Sequence, residues 1–209
     1  MRYLLLIVFA LCLQAATCQS LHYDALRKDK VIGGMDITIR NSGDDRIYLV
    51  TSNMEFRVLF TLRVEFTNKE IFHNDVLISG SVTNKMIGFK ENEAHIERTD
   101  DKYHLWINGT PEPIHDKEIK YTVSQIYTQE PYDGQKVFSQ YYGAYFTFKK
   151  VGDHEYKYTS SEGDNYYTYL NGICTDVKVE RDFATIYFKL KPESLAAVKK
   201  NASKFRSND

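Results

Sequence analysis

Cysteine is scarce in this chain, with three in 209 residues. Cys12 and Cys18 fall in or beside an apolar N-terminal stretch, which leaves Cys174 as the one thiol certain to persist, so a disulfide framework is excluded. Charge of one sign is also lacking. The formal net charge is −1, with lysines and arginines scattered among the acids, and the basic stripe that holds nucleic acid is missing. Beyond residues 3–13 no segment approaches the roughly 20 consecutive apolar residues of a membrane-crossing helix. Neither a G-x-S-x-G nucleophile elbow nor a glycine-rich phosphate loop is present.

What is present begins with a leader. Arg2, the apolar run over residues 3–13 and the small residues Ala15, Ala16 and Thr17 form the pattern of a secretory signal peptide. Cleavage after Cys18 is expected, giving a signal peptide over 1–18, a single all-β domain over 19–191 and a polar C-terminal tail over 192–209. The expected location is periplasmic or secreted. Lipid anchoring at Cys18 is disfavoured because Ala15 stands where such signals usually carry Leu. About 190 remaining residues, 43% hydrophobic and 14% aromatic over the whole chain, suffice for one globular core.

Period-two alternation dominates the domain. In MEFRVLFTLRVEF, residues 54–66, Met54, Phe56, Val58, Phe60, Leu62, Val64 and Phe66 alternate with mostly polar neighbours, which predicts one long strand with a buried face. Similar strands are expected over 31–40, 76–82, 103–107, 141–149 and 156–159, each followed by turn residues. Asn171-Gly172 favours a two-residue type I′ hairpin. That register predicts an inner face of Tyr166, Thr168, Leu170, Ile173, Thr175, Val177 and Val179, with Tyr167, Tyr169 and Cys174 outside. Thr122 and Gln125 have the spacing of a capping box, with Val123, Ile126 and Tyr127 at helical intervals until Pro131, and residues 192–200 carry a less regular second helical pattern. Roughly ten strands with so few helices exclude a parallel α/β fold, which needs a crossover helix per strand pair. The expected fold is all-β, an antiparallel meander forming a strongly curved sheet or barrel-like body. A membrane-spanning barrel is disfavoured, because the face opposite the apolar one carries Arg57, Arg63, Glu65, His95 and Glu97.

Reactive constellations are hard to find. The six histidines, His22, His73, His95, His104, His115 and His154, lack the close helical spacing of zinc ligands, and His73 with Asp75 reads as solvated strand polarity. Cys174 reads as a small packing residue. No carboxylate pair is singled out for glycoside cleavage. No catalytic residue, metal ligand or cofactor is therefore nominated, and the chain is expected to be non-enzymatic.

Binding is better supported. The inferred inner face offers Phe60, Tyr142, Phe146, Tyr156, Tyr158 and Tyr166, a lining suited to an apolar small molecule or lipid. The competing reading is that these rings simply fill the interior, as strands commonly arrange. Trp106, opposite Tyr103, Leu105 and Ile107 on its strand, is a candidate contact for an envelope protein or glycan. Asn108-Gly-Thr110 and Asn201-Ala-Ser203 are formal glycosylation triplets, meaningful only in a eukaryotic secretory pathway.

The segments KVIGGMDIT, VLFTLRVEF, TVSQIYTQEP, VFSQYYGAYFTF, NYYTYLNG and ATIYFKL, taken in order from Leu21 to Leu190, resemble a family of exported bacterial proteins of about this length, known as a domain of unknown function. The resemblance implies a cell-envelope setting and a curved all-β fold, and carries over no catalytic residue or ligand. The functional expectation is a non-enzymatic envelope protein that binds an apolar ligand or an envelope partner. The alternatives are a hydrolase of envelope glycans or lipids, and a structural or adhesive module.

Overall fold

A computed structural model describes residues 17–57, 59–86, 88 and 91–197 of the chain. The signal peptide expected over 1–18 lies outside the described residues except for Thr17 and Cys18, and most of the tail lies outside them too.

The first eight strands form a continuous meander: β1 (Thr17–Arg27), β2 (Lys30–Ser42), β3 (Asp45–Arg57), β4 (Thr61–His73), β5 (Val76–Met86), β6 (Asn92–Thr99), β7 (Lys102–Ile107) and β8 (Thr110–Glu112). After an intervening segment come β9 (Lys136–Ser139) and β10 (Ala144–Thr147). A second meander then follows as β11 (Lys149–Gly152), β12 (Glu155–Ser160), β13 (Gly163–Leu170), β14 (Ile173–Arg181) and β15 (Ala184–Leu190). β15 pairs antiparallel with β1, Tyr23 opposite Leu190, so the two meanders join into one sheet of 13 strands running from β11 to β8. The expected all-β antiparallel meander is what the chain forms.

The sheet does not close into a barrel. Its edges, β8 and β11, are not paired with each other. Both are short, β8 contains Pro111 and β11 begins Lys149-Lys150, features that discourage pairing with another chain. The sheet is strongly curved, because side chains from β2 to β6 and from β12 to β15 face one shared interior. Two-residue turns with both residues at positive φ connect many strands: Lys28-Asp29, Asn74-Asp75, Asp100-Asp101, Asn108-Gly109 and Asn171-Gly172. This is type I′ geometry, whose twist matches that of the strands it joins.

Residues 113–148 cross the open side and enter the concavity. Leu77 of β5 donates its N–H to Ile119 O at 2.8 Å, and the Tyr103 hydroxyl, buried beside them, donates to Leu77 O and accepts from Ile119 N–H at 2.8 and 2.9 Å. Ile119, Ile126, Val137 and Phe138 are buried against Ile37, Leu77, Ile96 and Leu105 of the sheet. Each such fully buried aliphatic side chain stabilises by about 1.5–3 kcal/mol relative to exposure.

Several expectations need correction. Residues 54–66 are not one strand. Strand β3 ends at Arg57 and β4 starts at Thr61, with Leu59 87% and Phe60 54% exposed in the turn between them. Val58 lies outside the described residues. Alternation carries through this turn in the sequence, so periodicity alone hides it. Residues 141–149 are likewise not one strand, since Tyr141, Tyr142 and Gly143 form the turn between β9 and β10. The capping pair yields a single 3₁₀ turn, Gln125–Tyr127. Gln125 does reach back, its Oε1 accepting the Thr122 N–H at 2.8 Å, but the Thr122 hydroxyl is bonded elsewhere. Residues 192–197 are helical. No helix among the described residues is long and apolar enough to cross a membrane.

The hairpin from β13 to β14 also reads differently. Tyr169 faces Cys174 and Leu170 faces Ile173 as expected, but a bulge between Thr168 and Tyr169 then shifts the pairing, so Tyr166 lies opposite Lys178 and Tyr167 opposite Val177. Tyr167, Tyr169 and Cys174 are buried, each 4% exposed or less, so the inner face of β13 is the one opposite to that expected, and the extra residue, Thr175 of β14, brings Val177 to the same side as Cys174. Tyr166 points outward beneath the amines of Lys157 and Lys178, 5.4 and 4.9 Å from its ring centre. One extra residue in one arm suffices to reverse which face a side chain meets.

Candidate functional site

The candidate site is a cavity of about 630 Å³ enclosed between the concave sheet and the inserted segment. One wall comes from alternate residues of the first meander: Met35 of β2, Val50, Met54 and Phe56 of β3, Val64 and Phe66 of β4, and Val82 and Met86 of β5. The opposite wall is Val179 of β14 with Ala184, Ile186 and Phe188 of β15, and the inserted segment contributes Val123, Ile126, Tyr127, Tyr141 and Tyr142. Residues i and i+2 on a strand share a face, which is how so few strands supply so continuous an apolar lining. Methionines adapt to guests of irregular shape.

A small set of polar groups interrupts this lining. Ser52, Asn68, Asn84, Asn92, Ser139 and Gln140 face the cavity, and Glu162, Arg181 and Asp182 line it from the turn after β12 and the end of β14. Arg181 donates to Asn165 Oδ1 at 3.2 Å and its Nε lies 3.6 Å from Glu162 Oε2. Asn84 donates to the Tyr141 hydroxyl at 3.3 Å. The Ser52 Oγ and Asn84 Oδ1 atoms are buried, and among the described residues neither has a hydrogen-bond partner.

Beneath the cavity a buried polar cluster fixes the inserted segment to β4. Asn68 Nδ2 donates to Ser124 Oγ at 2.9 Å, Gln140 Nε2 donates to Asn68 Oδ1, and the Thr122 hydroxyl donates to Glu70 Oε2 at 2.5 Å. Glu70 is completely buried, and burial raises its pKa to about 7, with Thr122, Ser124 and Asn68 offsetting part of the effect. Its Oε1 receives no well-aligned hydrogen bond among the described residues. Directly opposite Glu70 stands Gly80. A Cβ there would come within 2.2 Å of Gln140 Oε1, so the bare backbone of Gly80 leaves the room that the Gln140 amide occupies.

The structure brings together some of the nominated residues and separates others. Tyr142 and Tyr158 line the cavity. Phe146 stacks on Tyr158, with ring centres 4.9 Å apart. Tyr156 is buried edge-on against Tyr169, outside the cavity lining. Phe60 is in the exposed turn and Tyr166 is on the outer face. Trp106 projects from the outer face, its ring stacked 5.8 Å from His95 and 6.1 Å from His104. Of the six nominated aromatic residues, Tyr142 and Tyr158 are in the cavity lining and Phe60, Phe146, Tyr156 and Tyr166 are not. Tyr156 packs against Tyr169 and Tyr158 against Tyr167, while methionine and valine of β2 to β5 share the wall of the space with Phe56, Phe66 and Tyr158. Aliphatic residues of β2 to β5 were the available signal, and their alternation pointed to them only as core.

The other reactive groups have local explanations. Cys174 is fully buried and desolvation holds its thiol far above the ordinary range, which makes it inert as a nucleophile. Burial likewise raises the Tyr23, Tyr167 and Tyr169 hydroxyls, so they stay protonated, and Tyr23 donates to Cys174 O at 2.7 Å. His22, His73, His95 and His154 each sit beside a surface carboxylate, at 2.6, 2.7, 2.8 and 2.9 Å. The hydrogen bond that His154 Nδ1 donates to the Glu130 carboxylate raises the His154 pKa. His73 pairs with Asp45 while Asp75 pairs with Arg46, so these two do not form a joint ligand set. Among the described residues no three His, Cys, Asp or Glu side chains come together to hold a metal.

The chain belongs to the family described as domain of unknown function DUF6134, which it matches over residues 23–191. No curated protein and no solved structure matches it.

Proposed function

We propose that this chain is a non-enzymatic, exported cell-envelope protein that holds an apolar or lipid ligand in the cavity between its curved sheet and its inserted segment. The observation that carries this reading is the cavity itself. At about 630 Å³ it falls within the range of roughly 300–1,000 Å³ usual for small-molecule sites, and like them it is mostly apolar with a few placed polar groups. Ser52 Oγ and Asn84 Oδ1 suit a ligand whose chain lies among Met35, Val64 and Phe66 and whose hydroxyl or amide donates to these oxygens. The N-terminal pattern over 1–18 supports export.

A hydrolase would need carboxylates on the substrate path. The carboxylates lining the cavity are Glu162 and Asp182, in the turns after β12 and β14, and Glu162 is close to Arg181. This arrangement favours binding over bond cleavage. Native mass spectrometry and organic extraction of protein purified from its own source, followed by titration of the stripped protein with a fluorescent fatty acid, test the proposal. Co-purifying lipid, or stoichiometric uptake of the probe, is the expected result. Protein that emerges ligand-free and leaves the probe in water would overturn it.

A further inference from the structure

The two ends of the sheet differ in chemistry. Antiparallel connectivity places the turns after β2, β4, β6 and β13 at one end, where they read Gly43-Asp44, Asn74-Asp75, Asp100-Asp101 and Asn171-Gly172. At the other end are the turns after β1, β3, β5, β7, β12 and β14, of which those after β1, β3 and β14 flank the cavity residues Met54, Phe56, Val64 and Ala184. Those three turns expose large apolar side chains among charged ones: Val31 at 63%, Leu59 at 87%, Phe60 at 54% and Phe183 at 49% exposure. Phe183 itself lines the cavity.

The first two of these turns are tied together. Arg27 Nη1 donates to Arg57 O at 2.9 Å, and its guanidinium lies 5.3 Å over the Phe56 ring. Around the apolar tip they hold Arg27, Lys28, Lys30 and Arg57 against the single acid Asp29, a local charge of three positive. The neighbouring turns after β12 and β14 bring Glu162 and Asp182 to the cavity, with Arg181 paired to Glu162. One side of the opening is thus both apolar and basic.

We infer that this rim docks on an anionic lipid bilayer, Leu59, Phe60 and Val31 entering the headgroup layer while the flanking cations meet lipid phosphates, so that the cavity opens onto the membrane from which it loads. Apolar insertion combined with basic flanks is the pair of signals that holds peripheral proteins at such surfaces. Continuity of the rim with the cavity wall, through Met54 and Phe56 on one arm and Val64 on the other, gives a ligand a path that avoids water. The inference rests on the apolar-ligand reading of the cavity.

Flotation of the purified protein with vesicles tests it, using phosphatidylcholine alone and phosphatidylcholine mixed with phosphatidylglycerol. Binding is expected to the mixed vesicles only and to weaken with salt. Leu59→Asp should lower it at least tenfold, and Lys28→Ala combined with Lys30→Ala by about thirtyfold, given roughly 1 kcal/mol per cation near such a surface. Both variants should still take up a fluorescent fatty acid offered in solution. Val82→Phe, which narrows the cavity, should impair uptake and leave flotation unchanged, so the two proposals can fail separately. Absence of flotation with either vesicle, or flotation undiminished by Leu59→Asp, would overturn the docking surface.

Discussion

Replacing Glu70 by glutamine should change how stability depends on pH. The carboxyl is wholly buried between β4 and the inserted segment, and burial lifts its pKa from 4.5 to about 7. A carboxyl whose folded pKa is raised binds its proton more tightly in the folded state than in the unfolded one. Its favourable contribution is therefore complete below about pH 4.5 and is lost as pH rises to about 7, after which the loss is constant. A difference of about 2.5 between the two values, at about 1.36 kcal/mol per unit, amounts to about 3 kcal/mol. That is a large part of a typical domain stability of about 5–15 kcal/mol. Glutamine cannot ionise, and its carbonyl can accept the hydrogen bond that Thr122 donates. Urea unfolding of both proteins at intervals from pH 4 to pH 8 gives the difference curve, in which the titrations common to both cancel. The variant should gain on the wild type by about 3 kcal/mol between about pH 4.5 and pH 7, less a constant offset for its amide hydrogens. Parallel curves through that window, or a wild type that gains on the variant as pH rises, would refute the placement of Glu70.

Three further outcomes follow from the same interior. Gly80→Val should displace Gln140 from the sheet and cost about 1–3 kcal/mol through overpacking, read as a lower urea midpoint with an unchanged slope. Cys174 should resist alkylation by iodoacetamide in the native protein at pH 8 and react only on unfolding, because its thiol is buried and its pKa raised; rapid native labelling would contradict this. Tyr103→Phe removes the hydroxyl that bridges Leu77 O and Ile119 N–H. It should cost about 1–3 kcal/mol and speed amide exchange at Ile119, with little effect on the β1 to β3 amides.

Much of the architecture was legible because alternation and turn chemistry agree. Asn108-Gly109 and Asn171-Gly172 announce their hairpins, and both form with positive φ at each turn residue. Lys28-Asp29 and Asp100-Asp101 adopt the same geometry without that signature, since their left-handed conformations are imposed by pairing across long strands. The errors arose where alternation continued through a break. In residues 54–66 the apolar phase survives the turn, so Phe60 looked internal although it lies at a tip. In β13 the inner face is the one carrying Tyr167 and Tyr169 and not the one carrying Tyr166, a choice invisible to any count of apolar residues because tyrosine suits either face, and the bulge at Thr175 of β14 turns Cys174 and Val177 to the same side.

The candidate site was legible only in outline. An apolar interior was expected, and its hollow part is walled by methionine and valine of β2 to β5 together with Tyr127, Tyr141, Tyr142 and Tyr158, while Tyr156, Tyr167 and Tyr169 are packed outside the lining. Glu70 gave no sign in the sequence. Its burial depends on Thr122 and Ser124, more than 50 residues away, and on the gap left by Gly80. Contacts of that range are fixed by the path of the inserted segment, which no local pattern encodes.

Crystals grown with a fatty acid brominated along its chain offer the most direct measurement. An anomalous bromine peak is expected inside the concavity, between Met35 and Phe66 on one side and Ile186 on the other. Bromine bound only on the outer surface, with side chains closing the space between sheet and inserted segment, would contradict the account.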